Sequence, residues 1–463
     1  MHVVVLGAGL AGLSAAYELV RSGARVTVLE REPHVGGMAS SWRRGPHWLD
    51  LGPHRFHTRD PEIQRLVFEV MDGELVRRER LSRIYLRERF FRYPLEVSDV
   101  VAGLGPGLLT RAVRDYLYRR VRGLFRSLPD ENFEDWVLNR FGRTLYELFF
   151  EAYTSKAWGM PCTEISADWA SQRISQANLW DTVLKTLRPP KGGELRSLVS
   201  EFHYPRRGGI GQIARKFAER IRAAGGRIQL GCTVRGLERK DKWVEHVHFD
   251  FLGVREELKA DWVLNTTPIN RLLPLVSPAI EQPTRAAAER LEHVAIVFVY
   301  LEVDRTSVTP DHWIYLPEKH LRVHRVSEFK NFSDTSSPGD RTALCCEITC
   351  RAGDATWSLS LEEAARIASE DLVRCGLLEP GEARPLDIAR LPRAYPVYRV
   401  GYQEELGQLT EGARRLDNLL STGRQGLFRY NNMDHSIAMG RDAARQVDKT
   451  APVTWSLPVE YFG

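Results

Sequence analysis

At 463 residues, 43% of them hydrophobic and 27% charged, the chain has the make-up of an ordinary globular protein long enough for two to four domains of about 150 residues each. A net charge of +5 spread over that length excludes a nucleic-acid binder built on charge alone. No run of about 18 apolar residues is present to span a membrane.

Residues 1–30 carry the strongest pattern. Val3 to Leu6 read as a buried parallel strand that runs into Gly7, Gly9 and Gly12 in G-x-G-x-x-G spacing. A helix pattern through Leu13, Ala16 and Leu19 stops at Gly23, and a second strand, Arg25 to Leu29, ends on Glu30. This is a dinucleotide site. The first glycine permits the tight turn, the second lets backbone approach a pyrophosphate, and the third lets helix and strand pack closely. The helix N-terminus adds free N–H groups and positive dipole. Glu30 lies where a carboxylate accepts from ribose hydroxyls, and NAD fits this motif as well as FAD. Arg31 follows, then Gly36-Gly37-Met38 and small residues to Ser41. That extension resembles the FAD-binding fingerprint of the amine oxidase and glutathione reductase superfamily and favours FAD. The apolar N-terminus lacks a basic leader and is used as a strand, so the expectation is a cytoplasmic protein without a signal peptide.

Further along, Asp50 to Thr58 is a loop holding Gly52, Pro53, His54, Arg55 and His57, the last read as structural. Residues 85–203 read mainly as helix. The segment Val97 to Phe125 is amphipathic and basic, which reads as a solvated helix pair; a membrane surface or the partner of a homo-oligomer are the alternatives. Asn132 caps a helix whose apolar positions are Phe133, Trp136, Val137 and Phe141, and the next helix sets Leu145, Phe149 and Tyr153 on one face. An α/β pattern returns at Tyr204-Pro205 and Gly208-Gly209, with a helix from Ile213 to Ala224 and a strand from Arg227 to Leu230. Ala260 to Pro268 is another strand. Alternating runs between 290 and 400, among them Val294 to Leu301 and Thr342 to Thr349, predict a mainly antiparallel sheet. In the second run Cys346 and Cys350 share a face and Cys345 takes the other; with no histidine at ligand spacing they read as buried thiols, not a metal site. From Leu419 a short strand, Gly423-Arg424 and a helix from about Asp434 to Val447 return to the nucleotide fold.

The expected fold class is α/β. A discontinuous Rossmann-like FAD domain covers 1–84, 204–275 and 415–463, a helical domain 85–203, and an antiparallel-sheet substrate domain 276–414. The expected cofactor-binding set is Gly7, Gly9, Gly12, Glu30, Arg31, Gly36, Gly37, Met38, Val234, Gly423 and Arg424, to which the family resemblance given next adds Gly52 and His54.

Five separated stretches together resemble the UDP-galactopyranose mutase family, flavoenzymes that interconvert pyranose and furanose forms of a nucleotide-activated sugar. They are Gly52 to Thr58; Asn132 to Trp136 with Leu145 to Glu147 and Tyr153 to Trp158; Trp313 to Glu318 with Arg325; Ala394 to Pro396; and Gly423 to His435. The resemblance implies that Phe149 and Tyr153 contact the nucleobase and that Trp158 lines the pocket. It implies that Arg173 and Arg325 grip the diphosphate, with Tyr315, Tyr395 and Tyr430 as phenolic donors. His54 would lie on the flavin face, Arg424 between flavin and substrate, and Asn432 near the sugar. The implied catalytic set is His54, Arg173, Arg325 and Arg424. The implied reaction is attack of reduced FAD, through N5, on the anomeric carbon, giving a covalent flavin–sugar adduct while the diphosphate stays bound. Arginine forks and neutral phenols suit such a leaving group. NAD(P)H or a reductase would supply electrons, since no second dinucleotide motif is evident.

The chain departs from the family in places. Arg55 stands where an apolar residue is usual, Asn432 where bacterial members carry an acid, and the loop from Gln176 to Arg196 matches no substrate loop. The sugar and base stay open between a UDP-galactose-like and a GDP-linked hexose. The competing reading is an amine or protoporphyrinogen oxidase, supported by the shared FAD fold and the Gly208-Gly209 stretch.

Overall fold

In the computed structural model the described residues are 1–93, 97–125, 128–173, 200–280 and 282–447. The segment Gln176 to Arg196 and the end of the chain from 448 lie outside them.

His2–Leu6 is the central strand of a five-stranded parallel sheet ordered Leu419–Ser421, Trp262–Asn265, His2–Leu6, Arg25–Leu29, Arg227–Gln229. Four of its five residues are buried, as expected of a parallel strand covered on both faces. Val3, Val5, Val26 and Val28 pack one face against the helices Leu10–Arg21, Gln212–Ala223 and Met433–Val447. Val4, Leu6 and Val263 pack the other against a smaller sheet, Thr233–Lys240, Trp243–Phe251 and Val254–Lys259, through Leu237, Val247 and Phe249. The helices Leu10–Arg21 and Met433–Val447 touch backbone to backbone. A Cβ on Gly440 would fall 2.1 Å from the Ala11 carbonyl oxygen, and Ser14 Oγ donates to the Ile437 carbonyl at 2.9 Å.

The antiparallel runs form a seven-stranded sheet in the order Ala383–Pro396, His293–Val303, Thr342–Cys350, Arg325–Glu328, Trp313–Tyr315, Ser82–Leu86, Arg89–Arg92. Only Trp313–Tyr315 and Ser82–Leu86 pair in parallel. One face carries Val297, Val299, Ile314, Cys346 and Cys350 against the helix Leu361–Arg374, which starts on a Ser360/Glu363 capping box. Cys345 joins the opposite core with Phe298, Tyr300 and Trp313, as strand alternation requires.

Residues 82–92 depart from the helical reading that begins at 85. They form a hairpin whose turn residues Arg87 and Glu88 have φ of 52° and 60°. The sheet edge offered by Trp313–Tyr315 outweighs the weak helical pattern there. The other described residues of the region are mainly helical up to 173, whereas Glu201–Pro205 is a strand paired antiparallel with Leu75–Glu79, so the helical reading does not hold to 203. Val97–Phe125 breaks at Gly105, which has φ 74° and ψ 163° ahead of Pro106, and it exposes Val113, Leu117, Tyr118, Val121, Leu124 and Phe125. Asn132 Oδ1 caps Phe133–Phe141 by accepting from the Asp135 N–H at 2.9 Å. After Gly142 the helix opens to π geometry over Tyr146–Glu151 and returns to α over Ala152–Trp158. No helix among the described residues is long and apolar enough to cross a membrane.

Candidate active site

The nucleotide end is built from backbone. The Gly7 N–H donates to Leu29 at 2.8 Å with φ +98°, and a Cβ on Gly12 would lie 2.0 Å from the Gly7 carbonyl oxygen. Gly9 pairs with Gly36, whose N–H donates to the Ala8 carbonyl at 2.8 Å. Both Glu30 oxygens face this loop: Oε2 accepts from the Ala8 N–H at 2.7 Å, and Oε1 from the Glu32 N–H at 2.9 Å. Beyond Gly9 the space is open, since a Cβ there would meet nothing within 4 Å. Buried Ser40 Oγ and His54 Nδ1, on the segments that continue from the Gly36-Gly37 turn, have no partner among the described residues. Open backbone at one end and unsatisfied polar atoms further along fit an extended dinucleotide such as FAD.

The other half of the site is one rung of the seven-stranded sheet. Register aligns Ile84, Tyr315, Arg325, Glu347, Phe298 and Ala389 across six strands. Direct neighbours in register present side chains to the same face. Arg325 lies bidentate on buried Glu347, Nε to Oε1 at 2.5 Å and Nη2 to Oε2 at 2.7 Å, with Nη2 also 3.4 Å from the Tyr395 hydroxyl. Burial is the largest single influence on Arg325 and opposes its charge, but the charge and hydrogen bonds of Glu347 together with the neighbouring Tyr395 and Tyr153 more than offset it and hold the guanidinium protonated.

The loop from Asp50 to Arg55 is laid on that face. Gly52 has φ +81°, and a Cβ on it would come 3.2 Å from Glu347 Oε1 and 3.3 Å from the Phe298 ring. Tyr300 donates to the Asp50 carbonyl at 2.7 Å. The Asp50 carboxylate accepts from Ser41 and Tyr204 hydroxyls, both at 2.5 Å, and from the Ile210 N–H. Burial pushes the Asp50 carboxyl up to about 6, against the pull of those donors. His54 is held neutral, near 3, by burial and by the charges of Arg424 and Arg325.

Arg424 closes the site from the returning nucleotide fold. It sits just past the strand Leu419–Ser421, donates to the Ala394 and Asn431 carbonyls, and meets Met38 Sδ at 3.5 Å. Its guanidinium lies 4.5 Å from the Tyr430 ring centroid and 5.8 Å from that of Tyr395. Tyr395 and Tyr430 are 5.4 Å apart, and Trp158 is 5.5 Å from Tyr395. On the other side Tyr153 meets Tyr315 at 5.2 Å, and Phe149 meets Phe91 at 6.5 Å. Burial raises the Tyr395 phenol to about 12, so it remains a donor. The helix bearing Tyr153 and Trp158 is fastened by Lys156, whose Nζ donates to the carbonyls of Leu316, Glu318 and Val323 at 2.6, 2.8 and 3.0 Å.

The structure thus gathers Gly52, His54, Arg325, Arg424, Met38, Tyr153, Tyr315, Tyr395, Tyr430 and Trp158 into one cluster, with Asn432 just ahead of the helix Met433–Val447. At the nucleotide end Arg31, next to Glu30, pairs with Glu32 at the surface, and Val234 lies two residues after Cys232, whose N–H donates to the Glu30 carbonyl; the side chain of Arg173 is outside the described structure. Sequence reasoning missed Glu347, Asp50 and Lys156. A lone acid in the apolar run Thr342–Cys350 was a signal, because a buried carboxylate demands a partner.

The family of flavin containing amine oxidoreductases matches residues 10–447. The chain belongs to that family. Membership implies FAD as the cofactor of a flavoenzyme, and the cradle at Gly7 to Gly12 accommodates it. A probable UDP-galactopyranose mutase of Klebsiella pneumoniae is 25% identical over 169 residues, 36% of this chain and 43% of that protein. The L-amino acid oxidase Cdc18 of Crotalus durissus cumanensis is 50% identical over 66 residues, 14% of this chain and 13% of that one. The aligned stretches therefore span less than half the length of these relatives. A crystal structure of reduced UDP-galactopyranose mutase shares the fold at a TM-score of 0.80, with 21% identity over 96% of this chain and 93% of that one. A putative protoporphyrinogen oxidase from Exiguobacterium follows at 0.72, with 18% identity over 96% and 98%.

Proposed function

We propose that the protein is a flavin-dependent nucleotide-sugar mutase that interconverts pyranose and furanose forms of an NDP-hexose, UDP-galactose-like or GDP-linked. The observation that carries this reading is a cluster of cations and phenols. Arg424, Tyr395 and Tyr430 group beside the rung of Tyr315 and Arg325, with the Tyr395 hydroxyl 3.4 Å from Arg325 Nη2, close to the Gly52–His54 loop. An oxidase of an apolar amine has no use for two guanidiniums and a set of buried phenols. A departing nucleoside diphosphate needs them, as bidentate cations and uncharged donors.

When bound, reduced FAD supplies an electron-rich nitrogen nucleophile for the anomeric carbon. The protein's part is binding and electrostatics. Arg424 has its donors on backbone carbonyls and Met38, with no carboxylate partner among the described residues, so its charge is available to the diphosphate. Arg325 spends Nε and Nη2 on Glu347, which aims it and leaves Nη1 for a phosphate oxygen. The phenols of Tyr395 and Tyr430 hold the anion in place between departure and return. Neutral His54 lines the reacting end without adding charge.

The test is turnover of dithionite- or NADPH-reduced holoenzyme with UDP- and GDP-hexoses, read by chromatography. A new isomer of the sugar nucleotide, formed only with reduced flavin and without peroxide, is the expected result. Anaerobic bleaching of oxidised flavin by an amine or porphyrinogen, with no isomer formed, would overturn it in favour of the oxidase reading.

A further inference from the structure

Arg55 carries a charge that the site described so far does not use. It follows His54 in the loop on the sheet face, and its guanidinium carbon sits 4.4 Å from the centroid of the Trp313 ring, a residue almost wholly buried. Its Nε is shut off from solvent with no acceptor, and no carboxylate among the described residues pairs with it. Burial pulls its pKa down to about 10, and Tyr315, Arg325 and Tyr430 all lie close enough to act on that charge. Arg80 lies 5.7 Å from the same Trp313 ring and 5.2 Å from that of Tyr93, donating to the Tyr93 carbonyl at 2.8 Å and to Ser82 Oγ. Tyr93 in turn meets Tyr315 at 5.2 Å.

Two guanidiniums therefore flank Trp313 on the strand that also carries Tyr315. Burying an uncompensated cation is costly, and such charges in proteins are ordinarily paired. The diphosphate of a nucleotide sugar is already matched by Arg424 and by Arg325. A neutral hexose offers Arg55 hydroxyl acceptors but no charge to balance its own, and an apolar side chain would pack on Trp313 at less cost. With the guanidinium lying over the indole and Nε shut off, the Nη1–Nη2 edge is the donor face that remains, a planar two-pronged fork suited to a carboxylate.

We infer that Arg55, backed by Arg80 across Trp313, is a second anion subsite that takes a carboxylate on the sugar, so that the preferred substrate is a nucleotide-linked hexuronic acid. The inference rests on the nucleotide-sugar mutase reading and narrows its substrate class.

The test is titration of oxidised holoenzyme, followed by the flavin absorbance change, with matched pairs: UDP-galactose against UDP-galacturonate, and GDP-mannose against GDP-mannuronate, with UDP and GDP alone as references. Wild type is expected to bind the uronate of one pair at least tenfold more tightly than its hexose. Arg55→Leu, and independently Arg55→Gln, should erase that preference while affinity for the free nucleotide stays within about twofold. Equal affinity for hexose and uronate in the wild type overturns the subsite and leaves the mutase reading standing. Loss of free-nucleotide affinity in both Arg55 variants also overturns it, by assigning Arg55 to the diphosphate. Failure of every nucleotide and nucleotide sugar to bind wild type would overturn the mutase reading, and the subsite with it.

Discussion

Glu347 grips Arg325 fork to fork from the adjacent strand, and Gly52 lies on top of the pair, close enough that a Cβ would come 3.2 Å from Glu347 Oε1. A carboxylate that is itself buried thereby orients the cation of the candidate site and supports the loop that leads to His54. Each half of the pair depends on the other. Glu347→Leu and Arg325→Met alone should each cost about 3–5 kcal/mol, because each leaves an uncompensated buried charge. The double variant should recover most of that loss, since two apolar side chains replace the pair. Urea unfolding of the holoprotein checks this; additive single and double losses would show that the two residues do not act as a unit.

Gly12 should be decisive for cofactor retention. Its Cβ position is 2.0 Å from the Gly7 carbonyl oxygen, and that atom cannot move without opening the turn. Gly12→Ala is expected to yield folded protein that purifies without flavin absorbance. Gly23→Ala is the control. Gly23 has φ +87° but open space around it, so the variant should lose only about 1 kcal/mol and keep its flavin.

Acid should destabilise the protein well before most carboxylates titrate. Burial holds His54 and His57 near 3 and His293 and His312 near 4, whereas each titrates near 6.5 when unfolded. Below pH 6.5 the unfolded chain binds protons that the folded chain refuses, so the stability present above 6.5 is lost as pH falls towards 4. At pH 5 each histidine costs about 2 kcal/mol, out of a total stability typically about 5–15 kcal/mol. Asp50 acts in the opposite direction. Its carboxyl, raised to about 6, penalises the folded state as pH rises from about 4 to 6, and so returns only about 1–2 kcal/mol between pH 7 and pH 5. Melting temperature should fall steeply from pH 7 to pH 5; a flat or rising profile would contradict the neutral burial of these histidines.

Lys156 is expected to set the position of the aromatic wall. Lys156→Met orphans three carbonyls, at Leu316, Glu318 and Val323, at about 1–3 kcal/mol for each that water does not reach. The helix carrying Tyr153 and Trp158 then loosens from the sheet. Nucleotide affinity should drop about tenfold while flavin content is unchanged; calorimetric titration with UDP and GDP checks it. Unaltered affinity would detach this helix from nucleotide binding.

The amino-acid sequence by itself determined the nucleotide end of the protein. Gly7, Gly9, Gly12 and Glu30 act through a turn, a helix start and the end of the next strand, all within 30 residues, so their spacing alone specifies their geometry. The alternation of Thr342–Cys350 likewise told which face Cys345 and Cys346 would take. What only the tertiary structure decided is who meets whom at the candidate site. Arg325 faces Glu347 and Tyr315 because of strand register, which local pattern does not encode. Met38 reaches Arg424 from 386 residues away because the parallel sheet brings the chain's two ends together. His54 and Arg55 are neighbours in the chain, yet one is held among Arg424 and Arg325 and the other lies on Trp313. Side-chain chemistry is written locally, but partnership is set by the burial of whole elements, and a charged residue's role follows from its partner.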